Sequence, residues 1–191
     1  MIISTFEMTK LKLNTHQTHR DVMSMFGCNR KSNNILFMQI ENKLIVQSDC
    51  PPSSVNESLK LMNSRNCDDL LASVKNGDTV KIFAVYEPTK CKKRDGKRSA
   101  NVSIREENER KDWVKRKFSK SGNVSAINEI SKNVKNVKKD DGNKHIVFTY
   151  GYEFLLNVKD ADELRKLIKT GVGRSKSYGT GMSLIMGVKS V

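Results

Sequence analysis

Apolar residues along this chain alternate with polar ones in some stretches and recur every three or four positions in others. The first spacing is typical of strands and the second of helices. The first half predicts a strand, a helix, two strands, a helix and a strand, over residues 2–13, 18–26, 34–40, 43–48, 54–63 and 80–86. The second half predicts the same order over residues 99–104, 106–120, 123–130, 145–158, 161–169 and 182–188, with a mobile polar loop at 131–144.

Both halves therefore carry the order βαββαβ, which is the ferredoxin-like arrangement. The sequence predicts an α+β fold with two tandem ferredoxin-like (RRM-like) lobes, at residues 1–87 and 99–191. Residues 88–98 are rich in charge and poor in apolar side chains, so we interpret them as a basic linker. The halves share no visible sequence repeat, so the duplication is inferred from element order alone.

Positive charge is concentrated in the second half. The net charge is +14, and residues 1–86 hold ten basic and eight acidic side chains against 25 and 13 in residues 87–191. Clustered cations favour a polyanionic partner, because binding them releases counterions from phosphates. A solubilising surface is the alternative. No stretch approaches the ~20 apolar residues of a membrane span, so no membrane partner is expected.

The cysteines do not indicate a metal site. They stand at positions 28, 50, 67 and 91, no pair has CxxC spacing, and no group of histidines completes a zinc ligand set. We therefore predict no metal and no cofactor. Reduced thiols of this kind are typical of a cytoplasmic protein.

A glycine-rich segment, residues 171–181, is the most informative part of the chain. It contains four glycines, two cations and no acid, and glycines let a backbone approach a phosphate closely. Lys176 stands where a P-loop and a dinucleotide fingerprint each need glycine, which excludes a small nucleotide-dependent enzyme of those types. A flexible turn is the alternative. The predicted RNA contacts are Gly171, Gly173, Arg174, Ser175, Lys176, Ser177, Gly179 and Gly181.

The pattern G(V/I)G-x-x-K-x-x-G-x-G, followed by a short apolar strand, resembles the CRISPR repeat-processing endoribonucleases of the CasE branch. The segment 16–19 is similar to that branch's Tyr-x-x-His, with His16 in place of Tyr and His19 at the histidine. The segment 87–90 is similar to its Asn-Pro-x-Lys, with Glu87 in place of Asn. The run 97–118 looks like its second-lobe helix.

This resemblance implies a metal-independent endoribonuclease that cuts CRISPR precursor RNA at repeat hairpins. It implies 5′-hydroxyl and 2′,3′-cyclic phosphate ends, and a protein that stays on the 3′ hairpin as a Cascade subunit. The expected partners are the repeat RNA hairpin and other Cascade subunits, without membrane and without DNA binding by the chain itself. The alternative is a non-catalytic RNA-binding subunit of a ribonucleoprotein complex.

His19 is the favoured general base or acid, since an imidazole exchanges protons near neutral pH. His16 is expected to orient the substrate or to share the proton transfer, and His145 is interpreted as structural. A structural His19 is the competing interpretation. The basic stretch is expected to grip the RNA stem, which is recognised by shape and backbone, through Lys90, Lys92, Lys93, Arg94, Lys97 and Arg98.

Overall fold

The computed structural model describes residues 1–9, 15–26, 34–54, 57–94, 97–138 and 144–190. Its first part forms one four-stranded antiparallel sheet with one helix packed on it, and a short helix follows that packs into the core of the second part through Leu71. The elements are β1 (Ile2–Met8), α1 (Thr15–Phe26), β2 (Leu36–Ile40), β3 (Lys43–Ser48), β4 (Leu59–Asn66) and α2 (Asp68–Ser73). The strands lie in the order β2-β3-β1-β4. Helix α1 buries Val22, Met25 and Phe26 against Phe6 and Leu44 of the sheet, which forms the first core.

The second part forms another four-stranded antiparallel sheet, in the order β10-β5-β9-β8. Its elements are β5 (Thr79–Tyr86), β6 (Thr89–Arg94), β7 (Lys97–Ser103), α3 (Glu107–Phe118), β8 (Gly122–Lys138), β9 (Lys144–Val158), α4 (Ala161–Thr170), a 3₁₀ turn (Lys176–Tyr178) and β10 (Ser183–Lys189). Strands β6 and β7 form a separate hairpin. A buried ion pair of Arg110 with Glu129, 2.6 Å between Nη2 and Oε1, ties α3 to β8.

The two sheets pack on each other through a third apolar cluster. Leu36 and Met38 of β2 meet Met182, and Phe83 and Leu184 complete the contact from the second sheet.

A buried side chain fixes the same junction. The Nε2 atom of Gln47 donates to the carbonyl oxygens of Ile168 and Lys169, at 3.0 and 3.1 Å. Because these carbonyls close the last turn of α4, the segment that follows α4 starts at the boundary between the lobes.

The predicted fold class is confirmed, because both sheets have the same ferredoxin-like strand order with helices packed on them. The predicted hairpin at 34–48 is confirmed as β2 and β3, and the helices at 106–120 and 161–169 as α3 and α4. Asp160 caps α4 by accepting from the backbone N–H of Glu163 at 3.0 Å. The strands predicted at 145–158 and 182–188 are confirmed as β9 and β10.

One strand belongs to a different lobe than the sequence indicates. The strand predicted at 80–86 is present as β5, but it pairs with β10 and β9 and so opens the second lobe. Its buried positions, among them Val80, Ile82 and Ala84, alternate in a way that suits either sheet. Only its long-range partners decide between the two.

Other segments have a different secondary structure from the one predicted. The helix predicted at 54–63 is wrong, because Leu59–Asn66 is an exposed edge strand paired with β1. The segment 88–98 is not a linker, since its described residues form most of the β6–β7 hairpin. Residues 131–138 do not form a loop but extend β8 along β9. The first strand ends at Met8 and not at residue 13, and helix α1 begins at Thr15, three residues before the predicted start at residue 18.

Candidate functional site

Helix α1 carries His19 to the boundary between the lobes. His19 lies one turn inside the helix, not at its start as the sequence suggested. Its ring stacks on Phe37 of β2, with 6.3 Å between ring centroids and 22° between planes. The Nδ1 atom is shielded from solvent, so a substrate has to meet the ring through Nε2 or a carbon edge. The partly exposed ring is thus held in one orientation, which a proton-transfer group needs.

The glycine-rich segment runs from the end of α4 to β10 with a backbone that few residues can adopt. Gly171, Gly173, Gly179 and Gly181 all have positive φ, between 73° and 86°. Ser175 also lies in the left-handed region, at φ 55°. Backbone bonds from Val172 N–H to Gly181 O and from Gly181 N–H to Val85 O, at 2.8 and 2.7 Å, close the segment into a loop.

Close packing accounts for these glycines as well. A Cβ on Gly171 would lie 2.7 Å from a methyl of Leu36, and one on Gly173 would lie 2.9 Å from the Trp113 ring. A Cβ on Gly179 would lie 3.2 Å from both Phe37 and the Lys135 ammonium. The four glycines therefore follow from backbone geometry and packing, so they are not by themselves a sign of a bound phosphate.

The loop has two sides, and one of them faces His19. Here Phe37 lies between the His19 ring and Gly179, and helix α1 contacts the 3₁₀ turn. Lys135 of β8 reaches the same place and donates to the carbonyl oxygen of Tyr178 at 3.0 Å. We call these five residues, His19, Phe37, Lys135, Tyr178 and Gly179, the histidine cluster. Burial lowers the pKa of Lys135 to about 8.

The other side of the loop is a polar cleft of about 450 Å³, which we call the basic cleft. Its cations are Lys117 of α3 and Arg174 and Lys176 of the loop. Thr89 and Asn101, at the base of the β6–β7 hairpin, add a hydroxyl and an amide. The volume and the charge suit a phosphate with part of its sugar.

Two hydrogen bonds hold the loop in place beside this cleft. Lys176 Nζ donates to the carbonyl oxygen of Thr170 at 2.6 Å, and Thr180 Oγ1 donates to that of Arg174 at 2.7 Å.

Glu87 joins the loop to the β6–β7 hairpin. Its carboxylate accepts from Ser175 Oγ of the loop, and from Ser103 Oγ of β7 at 3.4 Å. The side chain is 8% exposed. The Glu87 carboxylate thus supplies the acceptors for the hydroxyls of Ser175 and Ser103. Ser175 is therefore engaged inside the protein, which argues against its predicted role as an RNA contact.

The basic hairpin is only partly described at the level of side chains. Lys90 donates to both carboxylate oxygens of Glu109 at 2.8 Å, so its charge is matched within the protein. Lys92 is exposed. The side chains of Lys93, Arg94, Lys97 and Arg98 lie outside the described residues, although their backbones form the two strands.

The structure brings some of the predicted site residues together and leaves others undescribed. His19, the glycine loop and the base of the hairpin lie around one point of the fold, on two sides of the loop. Ser177 lies in the 3₁₀ turn, half-buried. The side chains of His16 and His145 lie outside the described residues, so their predicted roles stay predictions. Within the described ranges no group of three His, Cys, Asp or Glu side chains is placed to hold a metal ion, and no helix is long and apolar enough to cross a membrane.

Nearly the whole chain matches one family model. The family model described as CRISPR associated protein covers residues 3–186. The chain belongs to this CRISPR-associated family. No curated protein matches it.

Solved structures with this fold include several CRISPR proteins. The chain is similar to Cas6e of Escherichia coli K-12, at 19% identity over 100% of both chains and a TM-score of 0.79. It is similar to the CRISPR endoribonuclease Cse3 bound to a 19-nucleotide RNA, at 16% identity over 98% of this chain and 100% of that one, with a TM-score of 0.82. A chain of a CRISPR RNA-guided surveillance complex matches at 18% identity over 100% of both chains, with a TM-score of 0.76.

Sequence reasoning missed three parts of this site. Phe37 reads as an ordinary core residue of a hairpin strand, and its contact with His19 comes only from packing. Lys117 lies on a helix with many other cations. Lys135 lies in a Lys- and Asn-rich stretch that looked like a loop, and its two valines, Val134 and Val137, are three residues apart, which is not the alternation of a strand.

Proposed function

We propose that this chain is an endoribonuclease that cuts CRISPR precursor RNA at repeat hairpins to release guide RNAs. The main supporting observation is that Phe37 packs against both the His19 ring of the first lobe and Gly179 of the glycine loop in the second. Membership of the CRISPR-associated family and the shared fold of an endoribonuclease bound to RNA support the same substrate class.

The chemistry uses the nucleophile that RNA carries itself. The 2′-OH beside the scissile phosphate attacks phosphorus, the bond from phosphorus to the 5′-oxygen breaks, and the products have 2′,3′-cyclic phosphate and 5′-hydroxyl ends. One group takes the proton of the 2′-OH and one gives a proton to the leaving 5′-oxygen. His19 performs one of these transfers through Nε2. Because no metal is needed to make the nucleophile, we propose a metal-independent reaction.

Substrate binding rests on the second lobe. Arg174, Lys176 and Lys117 of the basic cleft supply cations within one pocket. Lys92 and the hairpin that carries it extend this surface away from the loop. A-form RNA offers its phosphates along a wide minor groove, and a row of cations of this kind fits such a backbone better than it fits base edges.

After cutting, we propose that the protein stays on the 3′ hairpin of the guide as a subunit of Cascade in the cytoplasm. A chain of the same fold in an RNA-guided surveillance complex supports this assignment. Cys50, Cys67 and Cys91 are free thiols, which suits a reducing compartment.

The deciding experiment is incubation of the purified protein with the host's own repeat RNA in excess EDTA. We expect one cut in the repeat, with a cyclic phosphate on the upstream product. A scrambled hairpin of the same length is the matched control. Activity that disappears in EDTA and returns with Mg²⁺, in a protein that keeps its fold, would contradict the metal-independent mechanism.

Tight binding of the hairpin without any cut, in EDTA or in Mg²⁺, would favour a non-catalytic RNA-binding subunit. In that case the stacking of His19 on Phe37 is a packing contact. The two outcomes are separated by running a binding assay and a cleavage assay on the same samples.

A further inference from the structure

Lys135 occupies an unusual position for a lysine. It extends from β8 under the glycine loop, where its ammonium is 3.0 Å from the carbonyl oxygen of Tyr178. The same nitrogen is 3.2 Å from the point where a Cβ on Gly179 would lie, and Phe37 is equally close to that point. The ammonium and the ring on which His19 stacks therefore lie beside each other on the same side of Gly179.

Burying this charge is costly, and the protein does little to offset it. No carboxylate of the described residues forms an ion pair with Lys135, and the neutral Tyr178 carbonyl is its described partner. Burial accordingly lowers the pKa of the lysine to about 8. A buried cation without a counter-ion is destabilising until an anion binds beside it, which indicates a ligand-binding role.

An RNA strand can reach this lysine. Lys135 also lines a cleft of about 590 Å³ between the lobes, whose lining includes Gln39, Phe83, Asn133 and Thr149 and one carboxylate, that of Glu41. An aromatic ring, two amides and a hydroxyl around a cleft of this size suit a nucleotide next to the cut. Lys135 belongs to both this cleft and the histidine cluster, so a strand that fills the cleft brings a phosphate to its ammonium.

We propose that Lys135 is a catalytic residue that contacts the scissile phosphate and stabilises the added negative charge of the pentacoordinate phosphorus. This proposal rests on the proposed endoribonuclease function. The bond from the 2′-oxygen to phosphorus forms and the bond to the 5′-oxygen breaks, while other groups move both protons. Lys135 keeps its own proton and contributes charge alone.

The test compares single-turnover cleavage of the repeat hairpin by the wild type and three variants. Lys135→Gln keeps a donor for the Tyr178 carbonyl but loses the charge, and Lys135→Arg keeps the charge. Lys132→Met is the matched control, since Lys132 is an exposed lysine on the same strand. We expect Lys135→Gln to slow cutting by about 10²–10³, as for loss of one donor to a developing anion. Lys135→Arg should retain part of the rate, and Lys132→Met nearly all of it.

A second measurement separates direct contact from a structural role. Replacing a non-bridging oxygen of the scissile phosphate by sulfur weakens a contact with a hard ammonium. The substitution gives two diastereomers, and the wild type should cut at least one of them clearly more slowly than the unmodified RNA. Lys135→Gln should cut that same diastereomer only slightly more slowly than it cuts the unmodified RNA. A role limited to holding the loop would leave this sulfur effect equal in both proteins.

The outcomes distinguish a failure of the proposal for Lys135 from a failure of the proposed function. If the wild type cuts and Lys135→Gln cuts at the same rate, the proposal for Lys135 is wrong while the endoribonuclease function stands. An undiminished sulfur effect in folded Lys135→Gln also overturns it, even if the variant is slow. If the wild type binds the repeat but never cuts it, the proposed function itself fails first.

Discussion

The two sides of the glycine loop differ in what they expose. The basic cleft offers Lys117 and Arg174 to solvent and the half-buried Lys176 beside them. The histidine cluster holds a partly buried imidazole and a mostly buried ammonium against an aromatic ring. One eleven-residue segment, 171–181, separates the two environments.

This difference indicates a division of work within one loop. Exposed cations cost the fold little stability, and they attract phosphates over several ångströms with a strength that salt reduces. They therefore suit binding. Polar groups packed in the interior cost stability but act in a local environment of low dielectric constant, so they suit chemistry. Substitutions on one side should therefore change the rate, and substitutions on the other should change the affinity.

The largest effect is expected on the histidine side. His19→Ala should lower the rate of cutting by about 10²–10⁴, which is the usual value of one proton-transfer group. Its affinity for the repeat hairpin should stay near that of the wild type, because the cations of the basic cleft lie across the loop and are unchanged. Single-turnover kinetics and an RNA-binding titration on the same preparations measure the two quantities.

Ser24→Ala, on the exposed face of the same helix, is the control for the helix itself. Wild-type cutting by His19→Ala would make His19 a packing residue and His16 the leading candidate. A double variant at positions 16 and 19 then tests whether the two act as a unit.

A smaller effect, of the opposite kind, is expected in the basic cleft. Lys176→Ala should weaken hairpin binding and reduce the slope of log affinity against log salt by about 0.7–0.9, the value of one phosphate contact. The rate of cutting at saturating protein should change little. Lys189→Ala, an exposed cation on β10 beyond the loop, is the matched control. Equal losses in both variants would show a diffuse basic surface instead of a cleft.

The smallest effect concerns stability. The pKa of Lys135 is lowered to about 8 in the folded protein, whereas an unfolded lysine titrates near 10.5. Between these pH values the unfolded chain binds more protons, so folding becomes more favourable as pH rises. Lys135→Met, which removes this cost, should melt about 2–4 °C above the wild type at pH 7. The difference should shrink between pH 8 and 10 in thermal melts, and Lys132→Met should show no such trend.

A variant that melts higher and cuts more slowly would sharpen the contrast between the two sides. It would identify Lys135 as a residue kept for function at the expense of stability. A Lys135→Met protein that melts lower than the wild type at every pH would instead show that the bond to Tyr178 outweighs the cost of burial.

Local signals in the sequence determined several parts of this protein. Helix α4 is flanked by Asp160 and Gly171, as expected for a capping carboxylate and a glycine with positive φ. The hairpin of β2 and β3 and the strand β9 follow from alternation over adjacent residues. His19 and the glycine loop were also found from the sequence, because each carries a residue type whose chemistry or backbone freedom is rare elsewhere.

Tertiary structure alone decided the rest, because those features depend on partners far away in the chain. Strand β5 has the same pattern in either lobe, and its pairing with β10 and β9 places it in the second. Leu59 and Met62 have helical spacing, yet pairing with β1 makes their segment a strand. Lys135 shows the same point for the site: it lies in a polar stretch, and only the packing of the loop over β8 turns it into a buried cation near His19. Local sequence sets which elements can form, and the free energy of long-range pairing and burial selects where they lie.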